Sequence, residues 1–448
     1  MKKRWNLYRK VLQKEPVLFD IAEKLSEKEE KLTPQNITML YVMAPIMCRY
    51  VLWVLKEALD AGKKRLYFLA RDGYSMYCTA KVFCEKLDIP MECRYLYCSR
   101  YAWRSAEYGL LGKDSLAYIC LGGIEVTFSK LMRRAGLSFE EAMEVAEQVD
   151  FVEKRDKALS YAEVKAMEPV LADCPLFLEK LEAHSREKYP SVCEYLRQEG
   201  LLEDSPYAIV DSGWTGSMQK CLQHLLTSMG YQGNVEGYYF GMYEYPPDID
   251  KQLYHTYYFS PEEQLRRKVY FSNSLFECIF SSPEGMTVGY ESAEKKSYPA
   301  FEKTENPNKQ KIESSTAYLE QYVAALAENY GMEVLNITDD FRETAAQLLY
   351  YFMGKPTVEE AEEFGSYIFC DDVIGEEAQQ VASKLTAQEV KENRVLNKGL
   401  HFLLKKGKPV RESAWPEASA VLAEGAGRGE LRHCALYKYI LYLRKSRK

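Results

Sequence analysis

Two short runs in this chain combine an acid, glycine and anion-binding groups, and each follows an apolar stretch of strand length. The first is Phe68-Leu69-Ala70-Arg71-Asp72-Gly73-Tyr74. Glycine lets a backbone approach an anion closely, the helix predicted to follow offers its N-terminal amides, and Arg71 adds a two-pronged donor. The second is Ala208-Ile209-Val210-Asp211-Ser212-Gly213-Trp214-Thr215-Gly216-Ser217. Thr215, Gly216 and Ser217 ahead of a helix read as a phosphate cradle, where amides, two hydroxyls and the helix dipole converge on one anion. Asp211, at the strand end, is placed to accept hydrogen bonds from sugar hydroxyls. Each run also has a plainer reading: a βα turn with Arg71 and Asp72 in structural pairs, and an Asp-capped turn with Trp214 in the core.

These groups meet only if strands deliver them to one edge of a sheet. Arg65 to Ala70 is predicted as a buried strand, Tyr74 to Leu87 as a helix, and Cys93 to Cys98 as a second strand. That spacing is a βαβ unit, hence parallel and right-handed. Tyr207 to Val210 is a further strand, broken by Asp211-Ser212-Gly213, with a helix resuming at Ser217 and another strand at Val235 to Met242. Ligands of open α/β sheets bind beyond the C-terminal strand edge, where both loops would lie. The expected organisation is α/β with a parallel-sheet core: N-terminal helices over 1–62, an α/β domain over 63–294 with a large helical insertion at about 105–200, a Pro/Asn-rich linker at 295–311, and a mostly helical C-terminal domain over 312–448.

Arg100 and Arg104 follow the second predicted strand and could neutralise phosphate. Glu277, within Phe271 to Tyr290, is a candidate for contacting an acceptor or acting as base, against a structural reading as a buried, paired acid. The 448 residues carry a net charge of −7, which does not favour nucleic acid. Twelve cysteines are scattered without metal-finger spacing, a pattern of reducing compartments, and five histidines are too dispersed for a metal site. The N-terminus shows no apolar signal core, and Ile37 to Leu55, with Pro45 and Arg49, reads as a buried helix pair rather than a membrane span. A cytoplasmic location is expected. The basic, apolar tail Tyr437 to Lys448 reads first as a closing helix and second as a peripheral contact with membrane or partner.

Taken together the two loops resemble the type I phosphoribosyltransferase fold. The resemblance implies that Arg71, Asp72 and Gly73 hold pyrophosphate, that Asp211 binds ribose hydroxyls, and that Thr215, Gly216 and Ser217, beside Ser212, Gly213 and Trp214, bind the 5-phosphate. It also implies phosphoribosyl pyrophosphate as donor and Mg²⁺ as cofactor. That family usually carries two adjacent acids where this chain has Val210-Asp211. Tyr67 to Gly73, Tyr95 to Arg100 and Val210 to Ser217 further resemble a region often fused to haloacid-dehalogenase-like domains in bacterial surface-polysaccharide loci. The hydrolase nucleophile loop is not matched, since Asp248-Ile249-Asp250 follows Pro246-Pro247 and leads to Lys251-Gln252. The resemblance implies a glycan or lipid-linked glycan acceptor and a separate phosphatase. Rival readings are a non-catalytic phosphate-binding scaffold, a hydrolase-like protein, and an actin-like sugar kinase, whose second phosphate loop is not found.

Overall fold

The computed structural model describes residues 1–123, 126–294, 296–336, 340–369, 379–395, 397, 411–425, 427 and 429–445. Five strands, β1 (Arg65–Leu69), β2 (Glu92–Leu96), β3 (Tyr207–Trp214), β4 (Gly237–Met242) and β5 (Tyr254–Phe259), pair in parallel in the order β2-β1-β3-β4-β5. The fold is therefore α/β with an all-parallel sheet. From β1 the chain steps outward to β2, then returns past β1 to β3 and continues the other way. That reversal leaves a crevice beyond the C-terminal ends of β1 and β3, whose Phe68 and Val210 are register partners.

The helices that position the site are α1 (Ala44–Asp60), α2 (Gly73–Lys86), α3 (Arg100–Leu111), α4 (Pro175–Gln198), α5 (Ser217–Ser228), α6 (Asn273–Phe280), α7 (Lys309–Tyr330), α8 (Phe341–Phe352) and α9 (Glu430–Lys445). Strands buried on both faces read as continuous apolar runs, and their alternation sorts the side chains between two cores. Leu66, Phe68, Ala208, Val210 and Phe240 join Val51 of α1, Met76 of α2, Leu319 of α7 and Leu348 of α8. Tyr67, Leu69, Tyr207 and Ile209 join Trp103 of α3, Leu196 of α4 and Leu222 of α5 on the other face. The C-terminal helices α7 and α8 thus share the core of the sheet. The apolar N-terminal helix running Pro34–Asp60 is long and apolar enough to cross a membrane, and 94% of its apolar window is buried inside the molecule. Pro45 is accommodated by a π-helical turn at Met39–Met43, whose wider hydrogen bond runs from the Ala44 N–H to the Met39 carbonyl.

The helical insertion between β2 and β3 carries its own core, with Phe128, Leu131, Val145, Leu171 and Phe177 among its members. It begins and ends on α3 and α4, which close together at the Gly109 N–H to Ser185 Oγ hydrogen bond of 2.8 Å.

Several expectations are corrected. Strand β2 ends at Leu96, two residues early, and β5 adds an edge strand that the aromatic run Tyr254-His255-Thr256-Tyr257-Tyr258 had not signalled. The stretch expected as linker contains β7 (Lys296–Phe301), which pairs antiparallel with β6 (Thr287–Ala293). Its polar residues are the solvent side of a hairpin anchored by Tyr290, whose ring stacks on Tyr195 at 4.3 Å and whose hydroxyl donates to the Tyr97 carbonyl at 2.8 Å. Most consequential, Asp211-Ser212-Gly213 does not break β3, which continues to Trp214. Gly213 adopts φ +109°, and a Cβ there would stand 2.5 Å from the Gly241 carbonyl oxygen on β4. Only glycine allows this approach. Gly213→Ala is expected to lower stability by about 2 kcal/mol or more, from backbone strain plus displaced strand pairing, measured by urea denaturation. Wild-type stability in that variant would show that β3 does not need the contact.

Candidate functional site

The first loop leaves β1 through Ala70, forms the cis peptide Ala70–Arg71, and turns into α2 at Gly73. Arg71 is exposed and Asp72 half-buried, while Gly73 is buried behind them. Asp72 is held in place by the Ser212 hydroxyl, which donates to its Oδ2 and ties the two loops together across the crevice. Beside them Ser99 caps α3, accepting from the Ala102 N–H at 2.9 Å and donating to the Thr287 carbonyl at 2.6 Å. That cap presents Arg100 at the first position of the helix.

The second loop begins with Asp211 inside β3. Tyr50 of α1 donates to the carbonyls of Asp211 and Tyr238, both at 3.0 Å, and so pins the strand from below. Trp214 holds φ +64°, with its ring packed 5.4 Å from Phe271 and its indole N–H donating to Glu277 of α6. The Thr215 N–H turns back to the Gly213 carbonyl at 2.9 Å, and Gly216, with φ +59°, opens α5 at Ser217. Thr215 Oγ1 and Ser217 Oγ lie 3.3 Å apart, so two hydroxyls and the free amides of the first turn of α5 face the same space.

That space is a cavity of about 290 Å³, lined by Arg71, Asp72, Arg100, Asp211, Ser212, Gly213, Trp214, Thr215, Ser217 and Glu277 together with Asn273, Met286 and Phe369. Thus most of the residues singled out in sequence, although up to roughly 200 positions apart, converge here. A second lobe of about 170 Å³ shares Arg71, Asp72, Glu277, Met286 and Phe369 with the first. Met286 and Phe369 carry no chemical signal in sequence; they reach the cavity through the hairpin and the C-terminal region.

The electrostatics are unusual. Burial, reinforced by the Asp72 carboxylate, pushes Asp211 up to about 8, against the opposing pull of the Ser212 and Gly213 amides and Arg100. Burial and Asp72 likewise push Glu277 up to about 8, opposed by Arg100, Arg71 and the Trp214 N–H. Three acids thus crowd a space in which two guanidiniums supply the positive charge. Among the described residues neither the Arg71 nor the Arg100 guanidinium makes a hydrogen bond or close ion pair, and both line the cavity, which leaves them available to an anion.

Other candidates lie elsewhere. Arg104 points away from the cavity: it pairs with the fully buried Glu107 at 3.1 Å, covers the Tyr118 ring at 3.4 Å and reaches the Ser217 carbonyl at 3.4 Å. A buried guanidinium needs such a partner, so Arg104 supports α5 from beneath and does not face a ligand. Glu107 also binds His224 at 2.7 Å, and His184 and His255 pair with Glu141 and Glu236. Among the described residues no group of three or more His, Cys, Asp or Glu side chains is placed to hold a metal ion by itself; His401 lies outside them. Asp250 caps a short turn between β4 and β5 by accepting from the Gln252 N–H at 3.0 Å. In the tail helix α9, Tyr442 stacks on Tyr243 at 4.9 Å and Lys438 pairs with buried Glu417 at 2.8 Å, so one face is docked on the body. Residues 446–448 of the tail lie outside the described residues.

No family model matches the chain, and no curated protein matches its sequence.

The raised carboxyls set a pH dependence. Asp211 and Glu277 keep their protons in the folded protein up to about 8, whereas in the unfolded chain they lose them near 4. Between those values the folded state binds more protons, so this contribution to stability falls as pH rises from about 5 to 8. Asp211→Asn and Glu277→Gln should each flatten the fall in denaturant midpoint across that window. Parallel wild-type and variant curves would show that the carboxyls ionise freely.

Proposed function

We propose that this chain is a phosphoribosyltransferase-like enzyme, with a type I phosphoribosyltransferase core, that uses phosphoribosyl pyrophosphate to modify a glycan or lipid-linked glycan acceptor in the cytoplasm. One observation carries the reading. At the switch point of the sheet, two uncommitted guanidiniums, a hydroxyl-and-amide turn and Asp211, an acid borne on β3, line one cavity. An anion that carries a pyrophosphate, a sugar and a phosphate matches that set of groups. Arg71 and Arg100 neutralise pyrophosphate as it leaves, Thr215, Ser217 and the first amides of α5 hold the 5-phosphate, and Asp211 faces the ribose hydroxyls.

Transfer of a ribosyl group builds positive charge on the sugar while pyrophosphate departs, so fixed charges aimed at those positions lower the barrier. Asp211 balances the developing cation in its ionised form, which is populated as pH approaches 8. Glu277, held by the Trp214 indole at the border of the two lobes, in its ionised form, likewise populated as pH approaches 8, accepts the proton of an acceptor hydroxyl entering from the smaller lobe. The donor set is hard oxygen, and carboxyls that crowd one another gain from a divalent cation, so the residues fit Mg²⁺. Asp72 and Asp211 would hold it jointly with the donor phosphates, and it would supply charge neutralisation of the leaving group.

Phosphoribosyl pyrophosphate with Mg²⁺ should raise the melting temperature, since a ligand that binds only the folded state stabilises it. Thr215→Ala and Ser217→Ala should reduce that shift. Asp211→Asn should leave the fold intact while cutting transfer by more than tenfold, about 1.4 kcal/mol or beyond. Stabilisation by ATP and not by phosphoribosyl pyrophosphate would replace this reading with a kinase. Donor binding unchanged in Asp211→Asn, without transfer to any acceptor, would replace it with a scaffold.

A further inference from the structure

At the edge of the sheet opposite the cavity, Cys84 in the last turns of α2 and Cys93 near the start of β2 bring their sulfurs to 3.8 Å. Both side chains are partly exposed, whereas Cys48, Cys78, Cys98, Cys120, Cys174 and Cys221 are buried. A disulfide requires sulfurs about 2 Å apart, and side-chain torsions can close a gap of this size when the two chains already face each other. The pair therefore has proximity, access and a common orientation.

We propose that Cys84 and Cys93 form a reversible dithiol–disulfide site that exchanges with low-molecular-weight disulfides. The Cys84 thiolate attacks one sulfur of the small disulfide, forming a mixed disulfide and releasing one thiolate. The Cys93 thiol, losing its proton to solvent, then attacks the Cys84 sulfur and expels the second small thiolate. Two protein thiols are oxidised, one small disulfide is reduced to two thiols, and electrons balance. The environment assigns the roles. Cys93 reaches the Met91 carbonyl with its S–H at 3.9 Å, which holds it as the thiol, while the contact between the two sulfurs, in which either can donate, lowers Cys84 and raises Cys93, with burial and Glu92 adding to the rise. Cys84 is thus the attacking sulfur and Cys93 the resolving one. The bond would tie the end of α2 to the start of β2 and leave the ligand loops, at the far ends of those elements, untouched. The inference does not depend on the proposed function.

The test uses the reduced full chain, incubated with oxidised glutathione and then freed of small molecules. Thiols are counted after denaturation, and unreduced peptides are mapped by mass spectrometry. The expected result is loss of two thiols per chain, with Cys84 and Cys93 joined, no glutathione retained, and full reversal by dithiothreitol. Cys93→Ser should trap one glutathione on Cys84, and Cys84→Ser should leave Cys93 unmodified. No loss of thiols in the wild type, or glutathione retained on both cysteines without a cross-link, would overturn the proposal. The wild-type count needs no variant to fold.

Discussion

The end of β3 must stay paired with β4 while the chain climbs past the sheet edge, and backbone contact at Gly213 makes that path available. A side chain at that position would strike the Gly241 carbonyl. With the strand prolonged, Asp211 and Ser212 remain hydrogen-bonded parts of the sheet and do not become loop residues. Their side chains therefore keep strand alternation: Asp211 and Ser212 are rigidly placed, and Ser212 is almost fully buried where its hydroxyl holds Asp72. Trp214 can then adopt a left-handed backbone because four aromatic neighbours, Tyr243, Phe259, Phe271 and Phe276, and Glu277 hold its ring. A loop free to move would hold none of these groups to a fraction of an ångström.

The second constraint is charge. Three acids near one another in a partly buried space repel, and the protein offsets that repulsion with amides, one indole N–H and two arginines rather than with closed ion pairs. The contrast with Arg104 and Glu107 is instructive. There a buried pair is closed, satisfied by a histidine and an aromatic ring, and serves the packing of α3 against α5. In the cavity the charges are left open, which costs stability and is the arrangement found where a ligand completes the balance.

The cavity is also assembled from distant parts of the chain. Glu277 reaches it from α6, Met286 from the approach to the hairpin, and Phe369 from beyond α8. These parts are brought together because α1, α2, α7 and α8 share one apolar layer on the sheet. The insertion keeps a core of its own and touches the sheet layer mainly through α3 and α4, so roughly 100 residues intervene between β2 and β3 without disturbing the crevice.

Local sequence was enough to place the three inner strands, β1, β3 and β4. Apolar runs of strand length at Arg65, Tyr207 and Val235, each closed by glycine or an acid, can be read because a strand buried on both faces must be apolar throughout. Two of these runs end in Arg71-Asp72-Gly73 and Asp211 to Ser217, so the candidate site residues are legible in the linear chain. Tertiary structure alone decided the strand order that sets β1 beside β3, since pairing between strands over 100 residues apart leaves no periodic mark in the chain. It decided that Arg104 turns inward while Arg100 faces the cavity, because four residues on α3 place them on one side and only the partner Glu107 selects the direction. It decided, too, that Gly213 continues a strand where sequence reads a turn: glycine permits both, and the neighbouring carbonyl of β4, invisible in the linear chain, determines which one forms.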